Sequence, residues 1–100
     1  MAVYAVSFDL EYDSNYQDRY TSFTDQVKKG DDWWADTTSF VVVRTTETID
    51  TFCTRIYAYS SFNASKDLYL VVDSEIKSAR IRGKIKDRDI FKLMPYLIEL

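Results

Sequence analysis

The chain has no histidine, one cysteine, one proline and two glycines among its 100 residues. Each scarcity excludes something. Without histidine there is no Ser-His-Asp triad, no imidazole base and no His-ligated zinc, so any catalysis rests on carboxylates, hydroxyls, tyrosine, lysine or Cys53. A single cysteine forms no intrachain disulfide, and nothing points to an oxidising compartment. So little Gly and Pro beside 46% hydrophobic residues excludes a disordered or low-complexity chain. No apolar run approaches the roughly 20 residues of a membrane span. The opening stretch, Met1 to Asp9, lacks the basic start of a signal peptide and reads as a strand. A cytoplasmic protein with no membrane partner is therefore expected, and Asn63-Ala64-Ser65 reads as a chance glycosylation pattern.

What is present is a core-forming composition, 16% aromatic and 29% charged. A chain of this length buries roughly two-thirds of its unfolded surface as one domain. The net charge of −3 argues against a general nucleic-acid binder, but it averages two unlike regions. Residues 1–76 carry 6 basic and 13 acidic side chains, whereas residues 77–92 carry 7 basic and 2 acidic ones.

Tyr4, Val6, Phe8 and Leu10 alternate with Val3, Ala5, Ser7 and Asp9, the period of a strand. Asp13-Ser14 offers a cap to a helix whose face is Tyr16, Tyr20, Phe23 and Val27, closed by Lys28, Lys29 and Gly30. Trp33 to Asp36 and Ser39 to Arg44 predict a hairpin. Thr46 or Thr48 caps a second helix bearing Ile49, Phe52, Cys53 and Ile56 on one side. Leu68 to Val72 is a short apolar strand of the kind found at a sheet centre. Ala79, Ile81, Gly83 and Ile85 alternate with Arg80, Arg82, Lys84 and Lys86, which predicts a fifth strand with one basic face. Asp87 is placed to cap a last helix with Ile90, Leu93, Met94 and Leu97 on its apolar side, kinked or ended by Pro95.

The fold class is α+β. The order β-α-β-β-α-β with right-handed crossovers predicts a ferredoxin-like antiparallel sheet with both helices on one face. A C-terminal strand and helix follow, so residues 1–100 form a single domain with a core over 1–73 and an extension over 74–100. Val3, Ala5 and one of the two tryptophans point to the open sheet face, which a homodimer or the C-terminal segment is expected to cover.

Phe8-Asp9-Leu10 ending the first strand, the Trp-led hairpin with Thr38 to Val43, the Thr48-Ile49-Asp50 helix start and the Asp67 to Asp73 strand together carry a resemblance. Over about residues 2–73 the chain resembles the small ferredoxin-like dimers that include the CRISPR adaptation endoribonuclease-type protein, virulence-associated protein D and SinR-like proteins. In catalytic members an acid at the end of the first strand, paired across a twofold axis, is implicated in metal-dependent RNA cleavage. Asp9 holds that place here, with Glu11 and Asp13 as further ligands for Mg²⁺. Other such dimers act as adaptors without nuclease chemistry.

Each candidate has a plainer alternative. An acid at a strand end often accepts hydrogen bonds from loop amides, and Glu11 and Asp13 also read as solvated charge and a helix cap. Trp33 and Trp34 point to opposite faces, one in the core and one on the open face, where dimer packing competes with base stacking. The ligand-binding candidates are Lys77, Arg80, Arg82, Lys84, Lys86 and Arg88, whose plainer role is to keep a strand edge soluble and unpaired. The expected function is that of a small homodimeric binding or adaptor protein for nucleic acid, nucleotide or a partner protein, related to phage or host defence and needing no cofactor. The alternative is a Mg²⁺-dependent endoribonuclease with Asp9 at a dimer-axis metal site.

Overall fold

The computed structural model describes residues 1–75 and 78–100. The element order is β1 (Ala2–Asp9), α1 (Tyr16–Val27), β2 (Asp32–Trp34), β3 (Phe40–Thr45), α2 (Ile49–Tyr59), β4 (Leu68–Asp73), β5 (Ala79–Gly83), α3 (Ile90–Leu93) and β6 (Leu97–Glu99). The strands form one sheet in the order β2-β3-β1-β4-β5-β6. All neighbours are antiparallel except β5 and β6, which run parallel. The protein is thus α+β with a mostly antiparallel sheet.

Alternation in β1 sets the two layers. Val6 sits opposite Val41 of β3 on one side and Val71 of β4 on the other, and all three are buried. With Tyr4 and Phe8 they floor the main core, which Phe23 and Val27 of α1 and Phe52, Cys53 and Ile56 of α2 close from above. Both helices therefore lie on one face; α2 buries its predicted Ile49, Phe52, Cys53 and Ile56, whereas α1 buries Phe23 and Val27 of its predicted stripe together with Arg19 and Thr24, and leaves Tyr16 and Tyr20 half-buried. Thr48 is the cap of α2, its hydroxyl accepting from the Thr51 amide at 3.2 Å. Capping of α1 differs: Asn15 holds the position without a side-chain bond, and Asp13 turns the chain just before it by accepting from the Asn15 amide at 3.0 Å.

β4 lies inside the sheet, as its unbroken apolar run predicts. Tyr69 and Val71 enter the helix-side core, while Leu68, Leu70 and Val72 pack on the other face against Ala79, Ile81 and Leu97. Ile85, Ile90, Phe91, Met94 and Tyr96 complete this second, smaller core.

The C-terminal region departs from expectation twice. Strand β5 stops at Gly83, whose φ of 128° lies where side chains other than glycine are strained. A Cβ there would fall on the carbonyl of Asp67, and the next amide, Lys84, donates to that same carbonyl at 3.0 Å. The chain thus leaves the sheet before Lys84 and Lys86, and the predicted four-cation strand face does not form. The predicted last helix is a single turn. Pro95 disfavours helical backbone at Met94, which adopts φ −128° and ψ 80°, and Leu97 then opens β6 instead of ending a helical stripe.

Candidate functional site

Register decides the fate of the basic segment. Arg80 lies opposite Val71 and Arg82 opposite Tyr69, both core residues, so the two guanidinium groups project to the helix face. Arg80 Nε donates to Asp50 Oδ1 at 2.7 Å, and this bond holds the Asp50 carboxyl below its usual range. The Arg82 guanidinium stacks 3.9 Å over the Tyr57 ring and donates to the Tyr69 hydroxyl at 3.2 Å. Burial is the main reason that the Tyr69 phenol is raised well above its ordinary value. These two cations fasten α2 to β5. Arg88 pairs with Glu99 at 2.7 Å, and Lys77 lies outside the described residues.

Lys84 and Lys86 end up elsewhere, on the rim of a cleft of about 480 Å³ under the opposite sheet face. Its floor is Leu68, Leu70 and Ile81, and Ile85 and Ile90 form the wall. Asp9 and Glu11 stand on the rim too, beside Lys66 and Asp87. Folding therefore joins two sets of sequence candidates, the strand-end acids and the later lysines, that lie more than 70 residues apart in the chain.

An ion-pair network that sequence reasoning missed builds this end of the cleft. Asp67 is fully buried and accepts from Arg19 Nε at 3.2 Å and Nη2 at 3.1 Å. It also accepts from the amides of Glu11 at 2.9 Å and Asn63 at 3.0 Å. Arg19 Nη2 returns a bond to the Glu11 carbonyl at 2.7 Å, and Nη1 reaches Asp13 at 2.6 Å. Lys66 Nζ donates to Asp13 Oδ2 at 2.9 Å, so Asp13 is held down to about 2, first by Lys66 and then by Arg19. One signal was visible in the sequence. Arg19 interrupts the apolar stripe Tyr16, Tyr20, Phe23, and a cation on a core-facing stripe calls for a buried partner.

Asp13 thus spends both carboxylate oxygens on Lys66, Arg19 and a backbone amide. Among the described residues no three acids or thiols gather where they would hold a metal. One chain brings Asp9 and Glu11 to the cleft rim, whereas Mg²⁺ sites commonly use one or two carboxylates together with waters and substrate phosphates. Cys53 is buried in the main core, and burial pushes its thiol up to about 11, which suits packing rather than nucleophilic chemistry.

The tryptophans correct another expectation. Neither is in the core: Trp33 is 50% and Trp34 44% exposed. Trp33 lies opposite Val43 on the helix side, with the Lys28 ammonium 4.6 Å over its ring. Trp34 lies opposite Val42 on the other face, edge-on to Phe40. Among the described residues the C-terminal segment packs on that face against β4, β5 and β6. Over β1 and β3, Val3, Ala5, Phe40 and Val42 remain half-buried, and a shallow hollow of about 210 Å³ there is lined by Val3, Val42, Asp32, Arg44 and both tryptophans.

Comparison with known proteins gives no match to a family model, a curated protein or a solved structure. Among the described residues, no helix is long and apolar enough to cross a membrane.

Proposed function

We propose that the chain is a binding protein that works as a homodimer through the uncovered side of its sheet, on a ferredoxin-like core extended by β5, α3 and β6. The strand order β2-β3-β1-β4, antiparallel throughout, with α1 and α2 on one face, supports that description of the core. The observation that carries the function is the apolar surface of Val3, Ala5, Phe40, Val42 and Trp34, which stays partly exposed and which no element covers among the described residues. An exposed apolar sheet face bordered by polar residues is a docking surface. Asp32 and Arg44 face one another across β2 and β3 at its border, so the patch carries both signs of charge. A twofold contact, in which each patch meets its own copy, makes such a border self-complementary.

The nucleic-acid reading draws less support. Arg80, Arg82 and Arg88 are engaged within the fold, which takes three of the six predicted cations away from phosphate contacts, and binding strength follows their number. Light scattering on the full chain tests the homodimer. The expected mass is twice 11.8 kDa, falling to a single chain in Trp34→Glu with the far-ultraviolet circular dichroism unchanged. A wild-type monomer overturns the proposal. Magnesium-dependent RNA cleavage that disappears in Asp9→Ala would replace it with the endoribonuclease reading.

A further inference from the structure

We infer that the cleft between the sheet and the segment after β5 binds a short zwitterionic peptide with apolar side chains, about three residues long. Its volume of about 480 Å³ lies within the roughly 300–1,000 Å³ of small-molecule sites. Leu68, Leu70, Ile81, Ile85 and Ile90 offer an apolar body-binding surface, and the rim offers charges of both signs. Among the described residues the Asp9, Glu11, Lys84 and Lys86 side chains make no ion pair with one another or with any other group. They are exposed and available.

The register spaces these charges. Asp9 pairs with Leu68, and Leu68 pairs with Gly83, so Asp9 and the residue before Lys84 sit two strand spacings apart in one row. Two spacings are roughly 10 Å, the reach of about three residues of extended chain. An ammonium at the Asp9 and Glu11 side and a carboxylate at the Lys84 and Lys86 side would thus span the apolar floor between them.

Both rims hang on one buried residue. The Asp67 carboxylate fixes the Glu11 amide and the Asp67 carbonyl fixes the Lys84 amide, which preorganises the two charged ends relative to each other. A nucleotide fits less well. Among the described residues the one aromatic side chain lining the cleft is Phe8, whose ring is buried on the helix side 4.9 Å from Phe23, so it offers no face for base stacking. Asp9 and Glu11 would also repel a polyphosphate.

The test is amide and methyl resonance mapping of the full chain titrated with the tripeptide Ala-Leu-Ala and with its N-acetylated and C-amidated forms. Shifts are expected at Leu68, Leu70, Ile81, Ile85 and Ile90, with each blocked end weakening binding about tenfold, the scale of one charge-assisted hydrogen bond. Asp9→Asn with Glu11→Gln is expected to abolish the penalty of acetylation, and Lys84→Gln with Lys86→Gln that of amidation, as coupled pairs do in a double-mutant cycle. The cleft is built by one chain, so these results should survive in Trp34→Glu whatever its oligomeric state. Blocked peptides that bind as well as the free one overturn the inference. So do shifts absent from the cleft, or shifts there with adenosine monophosphate and none with the peptide.

Discussion

Asp67 shows how much a single residue holds. Its carboxylate neutralises Arg19 in a site where the Arg19 side chain is 7% exposed and its own is fully buried. Removing one partner of such a pair leaves an uncompensated buried charge, at a cost of about 3–5 kcal/mol. Asp67→Ala is therefore expected to lower the unfolding free energy by that amount, read as a fall in the urea midpoint at unchanged slope, whereas Arg19→Met with Asp67→Leu loses less because no charge is stranded. Unfolding of both variants by circular dichroism checks the order. Asp13, in the same network, makes a pH-dependent contribution. Its carboxyl is lowered to about 2 in the folded chain, so the stabilisation is fully present above the ordinary aspartate value and disappears as pH falls through about 2. Asp13→Asn should be less stable than the wild type at neutral pH. The difference should shrink between about pH 4 and pH 2 and vanish below, and denaturant melts across that range measure it.

At the scale of elements, the turn after β5 has the widest consequences. Hydrophobic alternation alone continues from Ala79 to Ile85, but the positive φ at Gly83 lifts the chain off the sheet and sends Lys84 and Lys86 to the cleft. Gly83→Ala would combine a strained backbone with a collision at the Asp67 carbonyl. A loss of about 1–3 kcal/mol or more is expected, with the largest changes in amide exchange at the Lys84 and Glu11 amides. Uniform destabilisation without a local change there would contradict this account of the turn. The buried side of each helix, in contrast, is legible, because α1 and α2 each bury one face against one sheet and period carries that information directly; the α2 stripe matches in full, while α1 adds Arg19 and Thr24 to Phe23 and Val27. The final helix was not. A four-residue turn has too little period to read, and Leu97 packs equally well from a strand.

For the whole molecule, the dominant fact is that two cores share one sheet. The larger lies under the helices, and the smaller lies between β4, β5, β6 and the C-terminal segment. Among the described residues the smaller core does not extend over the side of β1 and β3, where Trp34 stands 44% exposed. Pairing through this surface would take Trp34 out of water, so the tryptophan emission is expected to shift to shorter wavelength with rising protein concentration. Iodide quenching should fall in step with it. Emission that stays constant while light scattering reports a dimer would move the interface away from Trp34, to the β6 edge or the helices.

Read alone, the amino-acid sequence establishes the α+β class, the α2 face and most of the α1 face, the central place of β4, and that no histidine chemistry and no intrachain disulfide are available. All of these are local: they depend on periodicity over a few turns or on which side chains exist at all. Tertiary structure decided what the charges do. Arg80 and Arg82 face α2 because their register sets them opposite Val71 and Tyr69, and Arg19 is buried because Asp67 meets it across 48 residues of chain. Asp9 and Lys84 share a cleft because β1, β4 and β5 lie side by side. A charge is free, paired or buried according to neighbours that pairing and register choose, and neither is written in the composition of the segment that carries it.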